Sequence, residues 1–193
     1  MAATERGKVV VLGAGVAGGN AAMLAAAGGA NVVVFDKRPE RLTQARGWGA
    51  NVTALYAYES VVAEEVATAD LVIGAVLVPS AKAPHVVSRK MVKSMEKGSV
   101  LVDISIDQGG CFETSKPTTW KDPTYVVDGV THFCVTNMPG AVPQTSTQAI
   151  SAAILPYVQR LAQKHWRKDA VLASGINVDG GEIVHPALKG MKL

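Results

Sequence analysis

Charge is scarce in this chain. Only 18% of its 193 residues are Asp, Glu, Lys or Arg, and the formal net charge is +3. The positive residues form no dense run, so neither nucleic acid nor an anionic membrane surface is expected as a partner. Cysteine is nearly absent. Cys111 and Cys134 sit in or beside apolar runs, and Met1–Gly7 is polar, without the apolar core of a secretion signal. The pair therefore reads as reduced thiols of a cytoplasmic protein, not as a disulfide framework. Long hydrophobic runs are missing too. Gly, Pro or a charge breaks each apolar stretch well short of a membrane span. There are no internal repeats and no low-complexity tract, and no metal site is expected. What is present is a 48% hydrophobic composition, that of a buried α/β protein. The length suffices for one good core and part of a second.

The most informative stretch is Lys8 to Asp36. Lys8-Val-Val-Val-Leu12 is a β-branched apolar run, the mark of a buried strand. Gly13-Ala14-Gly15-Val16-Ala17-Gly18 follows as G-x-G-x-x-G and opens an Ala-rich helix that ends at Gly28-Gly29. Asn31 to Phe35 is a second buried strand, closed by Asp36. Each part has a task in binding a dinucleotide. Gly13 permits the tight turn, Gly15 lets a pyrophosphate approach the backbone, and Gly18 lets the helix pack closely. The N–H groups at the helix start, at Val16 and Ala17, and the positive dipole end favour phosphate. Asp36 can accept hydrogen bonds from an adenosine ribose. Beside it a 2′-phosphate would meet like charge. Lys37 and Arg38 can each reach a phosphate, so the expectation is a preference for NAD over NADP, not exclusion.

Strands and helices then alternate. Helices are predicted over 39–48, 59–67 and 84–95, and strands over 51–56, 70–78 and 99–103. This spacing gives right-handed βαβ units and a doubly wound parallel sheet, a Rossmann fold. Ligands of such sheets bind beyond the carboxyl ends of the strands. The residues to examine are thus Gly13–Gly18, Asp36, Leu77–Val78 and Ile104–Gly110. Beyond them the pattern changes. Tyr125 to Val135 reads as a hairpin around Asp128-Gly129 or as a turn into a sixth strand. Thr145 to His165 reads as a long helix kinked near Pro156, and 176–184 as a small second hairpin. The expected division is a dinucleotide-binding domain over 1–144 and a C-terminal segment over 145–193. The apolar positions of that segment, Ile150, Ile154, Leu155, Val158 and Leu161, need something to pack against. A carboxylate such as Asp107, after a strand end beside the crevice, can orient an ammonium or imino group; equally it can cap the Gly109-Gly110 turn.

Several runs resemble the cofactor-binding half of the L-alanine dehydrogenase family. They are Val10 to Gly18, Asp70 to Leu77, Ala81-Lys-Ala-Pro84, Met91 to Met95, Asp107-Gln-Gly-Gly-Cys-Phe-Glu-Thr-Ser115, Pro117-Thr-Thr119, Asp122 to Tyr125 and Asn137-Met-Pro-Gly-Ala-Val-Pro143. The likeness runs from about Lys8 to Val184, nearly the whole chain. It implies NAD as cofactor and L-alanine and pyruvate as substrates. It implies that Asp107 is catalytic, near the nicotinamide and the substrate amine. Asn137 and Met138 would line the nicotinamide end, and Leu77, Val78, Ile104 and Ser105 would border the cofactor. Arg41 would lie near the adenosine. The family's polar residue near the adenine is not matched, since Ala57 or Tyr58 stands there. The family also implies a homo-oligomer and a substrate domain in an earlier half, which carries the substrate-binding Lys and Arg and the catalytic His. None of these is present here, and His85, His132, His165 and His185 read as surface or packing residues.

Two other readings stand beside that enzyme. The chain can be an NAD(H)-binding module with no activity of its own. Or it can be the NAD(H)-binding α subunit of a proton-translocating transhydrogenase, which Phe35-Asp-Lys-Arg-Pro-Glu40 resembles. The Asp107-Gln-Gly-Gly-Cys and Pro-Thr-Thr runs favour alanine dehydrogenase.

Overall fold

Alternation along the strands decides the architecture. In β1 (Lys8–Leu12), Val9 and Val11 face one side, and Val10 and Leu12 the other. β2 (Asn31–Asp36) divides in the same way. A strand buried on both faces needs a helical layer on each. α1 (Val16–Ala27) and α2 (Pro39–Ala45) cover the first face with Ala22, Ala26, Leu42 and Ala45. α3 (Glu59–Ala67) and α4 (Arg89–Ser94) cover the second with Val62, Val66, Met91 and Val92.

The computed structural model describes residues 4–77, 85–188 and 190. The remaining strands of the main sheet are β3 (Val52–Tyr56), β4 (Leu71–Gly74), β5 (Val100–Asp103), β6 (Thr124–Val127) and β7 (Val130–Phe133). The sheet order is β3-β2-β1-β4-β5-β7-β6. All neighbours are parallel except β6 and β7, which form the expected hairpin. Asp128 and Gly129 both take positive φ, 53° and 87°, as a two-residue hairpin turn of the right twist requires. Leu12 is level with Phe35 and with Gly74, and Gly74 with Asp103. The carboxyl ends of four strands therefore share one edge. The order reverses between β1 and β4, and a doubly wound sheet opens its crevice there.

Two elements differ from the sequence expectation for one reason. β4 stops at Gly74 instead of running on to 78, and α4 starts at Arg89 rather than 84. Gly74 lies under the Cys111–Phe112 segment: a Cβ there would sit 2.9 Å from the Cys111 Cβ and from the Phe112 ring. The N–H groups of Val86 and Val87 donate to the Cys111 carbonyl at 2.7 and 3.3 Å, which holds them extended. Ser88 then caps α4, accepting from the Met91 N–H at 3.3 Å. Tertiary hydrogen bonds override the helical pattern of 85–88. The other predicted elements are present with ends shifted by a few residues, as helix termini commonly do.

The chain divides into two compact units, Met1–Asn137 and Met138–Leu193. The second contains α5 (Pro143–Leu161), α6 (Ala170–Ser174) and a hairpin of β8 (Val178–Asp179) and β9 (Glu182–Ile183). The helix α5 runs through Pro156. Asp169 caps α6 through the Val171 N–H at 3.0 Å and accepts from the Arg160 guanidinium. Arg167 pairs with Asp179 at 2.7 Å. None of the described residues of this unit is buried. No helix among the described residues is long and apolar enough to cross a membrane.

Candidate cofactor site

The turn after β1 is fixed by close approach. Gly13 has φ +102°, and a Cβ on it would come within 2.6 Å of the Ala75 carbonyl oxygen. Gly18 is more tightly held, because a Cβ there would lie 1.9 Å from the Gly13 oxygen. Any side chain at Gly18 would push α1 off the turn. A Cβ on Gly15, by contrast, would meet nothing within 4 Å. No side chain caps α1 and no acidic residue lies in its first turn, so its opening N–H groups present a positive end to the crevice.

That crevice encloses about 820 Å³, within the range of small-molecule sites. Gly13, Gly15, Val16, Ala17, Asp36, Lys37, Arg41 and Leu77 all line it. Gly18 lies behind it, in the packing of α1. Val78 falls outside the described residues. Arg38, read from the sequence as able to reach a phosphate, lines the crevice too, and sequence reasoning missed Glu59, His85, Ser88 and Met91 as further lining residues.

Asp36 does more than face the crevice. One carboxylate oxygen accepts the Ala14 N–H at 2.9 Å, and the other accepts the Arg38 N–H at 2.9 Å and its guanidinium Nε at 3.4 Å. Burial by itself pushes this carboxyl up. The two backbone donors and the Arg38 guanidinium outweigh burial and hold it below its ordinary value. Arg41 braces the same turn, donating to the Ala14 carbonyl at 3.0 Å. The glycine turn is therefore tied to β2 and α2 from both its N–H and its C=O. Lone pairs remain on each Asp36 oxygen for a ribose hydroxyl. The pieces present fit a dinucleotide: an uncapped helix start for phosphate, a carboxylate for ribose and an apolar cleft between them.

The other predicted residues lie past β5. Ile104 and Ser105 are not among the residues lining the crevice; they bond instead to the backbone of β4 and the residues just after it. The Ile104 N–H donates to Gly74 O at 2.8 Å, and the buried Ser105 hydroxyl donates to Val76 O at 2.8 Å. Asp107 lies on a 3-10 turn, Ile106–Gln108, and is exposed. Its two carboxylate oxygens share the Asn137 N–H at 3.1 and 3.3 Å. Asn137 takes a left-handed φ of 49°, which aims that N–H at the carboxylate. An exposed carboxylate held by a single backbone donor keeps most of its acceptor capacity for an ammonium group. Met138 opens the second compact unit.

His132 is fully buried. Its Nδ1 donates to the Val130 carbonyl at 3.0 Å, and its Nε2 accepts from the Thr114 hydroxyl at 2.7 Å. It stacks on Tyr125 at 4.9 Å between ring centroids. Burial lowers its pKa, and burial likewise pushes Tyr125 up and Cys111 up to about 11. His132 and Cys111 are packed, neutral groups of the core, and Tyr125 is half-buried beside them. Asp103, overlooked in the sequence, is also fully buried. It accepts from Ser105 N–H, Cys111 N–H and the Ser115 hydroxyl.

Comparison with known proteins agrees with this geometry. Residues 1–186 match the family described as "Alanine dehydrogenase/PNT, C-terminal domain". Alanine dehydrogenase of Halomonas elongata is 50% identical over 186 residues, covering 94% of this chain and 50% of that protein. The enzyme of Mycolicibacterium smegmatis is 48% identical over the same length and share. A solved L-alanine dehydrogenase superposes with a TM-score of 0.84 at 48% identity, over 94% of this chain and 52% of that one. A transhydrogenase from Sinorhizobium meliloti is more distant, with a TM-score of 0.76 at 29% identity, over 94% and 50%. The chain thus spans about half the length of the curated relatives it matches. It has the doubly wound fold and the NAD(H) crevice of that domain, and it belongs to the alanine dehydrogenase/PNT C-terminal domain family.

Proposed function

We propose that this chain supplies the NAD(H)-binding half of an L-alanine dehydrogenase, a cytoplasmic homo-oligomer that converts L-alanine, NAD and water to pyruvate, ammonia and NADH. NAD, when bound, is the hydride acceptor. The chain's own residues orient. The turn from Gly13 to Gly18 and the start of α1 receive the pyrophosphate, and Asp36 receives the adenosine ribose. Asp107 takes a hydrogen bond from the substrate amine and holds its Cα toward the crevice. Asn137 and Met138 border the nicotinamide end. Leu77, just after β4, flanks the cofactor, and the family resemblance gives Val78 the same part. The second unit is the segment that returns to a substrate domain, and that domain contributes the cation for the alanine carboxylate and a base for the amine proton.

The observation that carries this reading is the placement of Asp107. It is an exposed carboxylate on the turn that follows β5, braced by Asn137 and open to a positively charged amine. Hydride transfer needs the donor carbon within about 3–3.5 Å of the acceptor. One wall alone cannot provide that. The isolated chain should bind NADH and oxidise alanine negligibly, and a substrate domain added in trans should restore activity in part. Formation of NADH followed at 340 nm decides the point. Turnover by the chain alone in the ordinary range of about 1–10³ s⁻¹, abolished by Asp107→Asn, would overturn the division of labour.

The transhydrogenase reading rests on the likeness to the Sinorhizobium meliloti protein. It predicts hydride exchange with an NADP(H)-loaded partner subunit in place of alanine-dependent reduction.

A further inference from the structure

Both ends of one loop and the residue four beyond it meet at one buried carboxylate. Asp103 ends β5, level with Gly74 of β4. One of its oxygens accepts the Ser105 N–H at 3.0 Å, and the other accepts the Cys111 N–H at 2.8 Å and the Ser115 hydroxyl. It therefore closes the neck of the loop that carries Asp107, holding the loop's first and last residues to one side chain. Gly110 shows how tight this closure is. Its φ is +81°, and a Cβ there would stand 2.7 Å from the Asp103 carboxylate. Asp103 accepts from three donors and donates to none in this set, the pattern of an ionised carboxylate. Burial pushes its pKa up, opposed by these donors. An apolar strand end would not need so costly a group for mere closure.

The residues that Asp103 holds reach on to the cofactor crevice. Ser105, pinned through its N–H, gives its hydroxyl to Val76 O at 2.8 Å. Cys111, also pinned through its N–H, accepts from Val86 and Val87 with its carbonyl. The Glu113 N–H returns to Val87 O at 3.0 Å, and the Glu113 carboxylate takes the Arg89 N–H at 2.6 Å. Val76 and Val86 both line the crevice. Every path from Asp107 to that wall through these hydrogen bonds passes a group that Asp103 holds.

We propose that Asp103 is a positioning residue of the cofactor site, whose carboxylate locks the Asp107 loop to the wall of the dinucleotide crevice. It touches neither cofactor nor substrate. Its effect is that a dinucleotide settling against Val76 and Val86 also stiffens the turn bearing Asp107. The inference rests on the NAD(H) and Asp107 reading above and adds the part that joins the two.

Three forms of the chain test it: the natural sequence, Asp103→Asn and Ser115→Ala. Asn keeps the shape but turns an N–H₂ donor toward groups that are themselves donors. Ser115→Ala removes one bond of three and retains the charge. Each form is titrated with NADH by fluorescence. Backbone hydrogen exchange is then read with and without saturating NADH. In the natural sequence, NADH should slow exchange at Val16–Gly19 and at Ile106–Cys111 together. In Asp103→Asn, bound NADH should still protect Val16–Gly19, while exchange at Ile106–Cys111 runs about tenfold or more faster than in the natural chain, as expected from a lost hydrogen bond or two. Ser115→Ala should fall between. A role confined to stability would lower protection throughout and leave the NADH-dependent gain at the loop intact. Should Asp103→Asn fail to fold, Ser115→Ala carries the same decision. Equal NADH-dependent protection of Ile106–Cys111 in the natural chain and the folded variant overturns the inference alone. A natural chain that binds no NADH overturns the cofactor reading and this inference with it.

Discussion

The two units of this chain were built from the same kinds of apolar residue and have opposite fates. In the first, Val10, Val11, Val34, Val66 and Val72 are within 1% of complete burial. In the second, Ile150 and Ile154 are 60% and 49% exposed, and Val158 and Leu161 are nearly as open. These four positions recur at helical spacing, so α5 has a face with the pattern of a core and, among the described residues, no core against it. Patterning tells where a side chain points, but burial needs a second surface. The first unit supplies its own, as helices on both faces of a sheet. The second leaves its apolar helix face exposed, and the chain spans about half the length of its curated relatives.

The largest expected effect is in local stability. Opening free energies range from near zero at unsupported elements up to the global value in a core. With a global value of at least about 5 kcal/mol, amide exchange in β1 should be slower than in α5 by about three powers of ten or more. Hydrogen exchange read by mass spectrometry checks it. Similar protection in 149–161 and in β1, in a chain proven monomeric, would erase the distinction between the units. Protection of α5 that appears only when a substrate domain is added would sharpen it.

Next come paired truncations. Phe35 is 1% exposed at the centre of its cluster, so Phe35→Ala should cost about 3–5 kcal/mol. The same kind of change at half-exposed Ile154, to Ala, should fall within about 0.5 kcal/mol. Denaturant midpoints of the two variants give the comparison. Equal losses would show that α5 is already packed against something in solution.

What the sequence could and could not disclose follows the same division. β1, the glycine turn, α1, β2 and Asp36 are legible because each cue is local. A strand run, a turn that demands glycine and an Ala-rich helix are all read within one stretch. The end of β4 and the start of α4 were misjudged because Gly74, Val86 and Val87 answer to Cys111 and Phe112, whose position the local pattern does not carry. Asp103 was passed over as the last letter of a strand, although its partners lie only 2, 8 and 12 residues on. Its burial depends on the loop folding back with Gly110 in a left-handed conformation, which the local pattern does not carry. The placement of Asp107 as a candidate for catalysis came from resemblance. By residues alone, a turn cap remained as good a description.

A preference for NADH over NADPH is expected to localise to the first unit. Asp36→Ala removes the acceptor for Ala14 N–H and for a ribose hydroxyl. NADH affinity should drop about tenfold, the size of one good hydrogen bond, and its advantage over NADPH should vanish. With Lys37 and Arg38 left beside the ribose, NADPH should bind as well or better. Ile154→Ser, on the unsupported face, should leave both affinities unchanged. Fluorescence titration with the two nucleotides reads all of this. A preference for NADH that survives Asp36→Ala removes Asp36 from the discriminating role.

The smallest effect is a pH dependence that comes from a buried histidine of the first unit. His132 is buried with its Nε2 accepting from Thr114, so protonation must break that bond and place a charge in the core. Its folded pKa is accordingly depressed from the ordinary 6.5. The sign follows from proton uptake. Between the depressed value and 6.5 the unfolded chain holds the proton and the folded chain does not, so stability rises with pH in that window. The contribution is complete above about 6.5 and is lost as pH falls through the folded value. The slope cannot exceed about 1.4 kcal/mol per pH unit for one group. Asp103, whose pKa is raised by burial, acts in the opposite sense at lower pH. Comparing slopes with a His132→Asn variant isolates the histidine. Asn can keep the bond to the Val130 carbonyl but does not titrate and loses the stacking on Tyr125. The variant should be less stable at pH 7.5, and its denaturant midpoint should change less between pH 5.5 and pH 7.5 than that of the natural chain. Parallel curves would mean that Thr114 yields to a charged imidazole, and that this part of the first unit is as adaptable as the second.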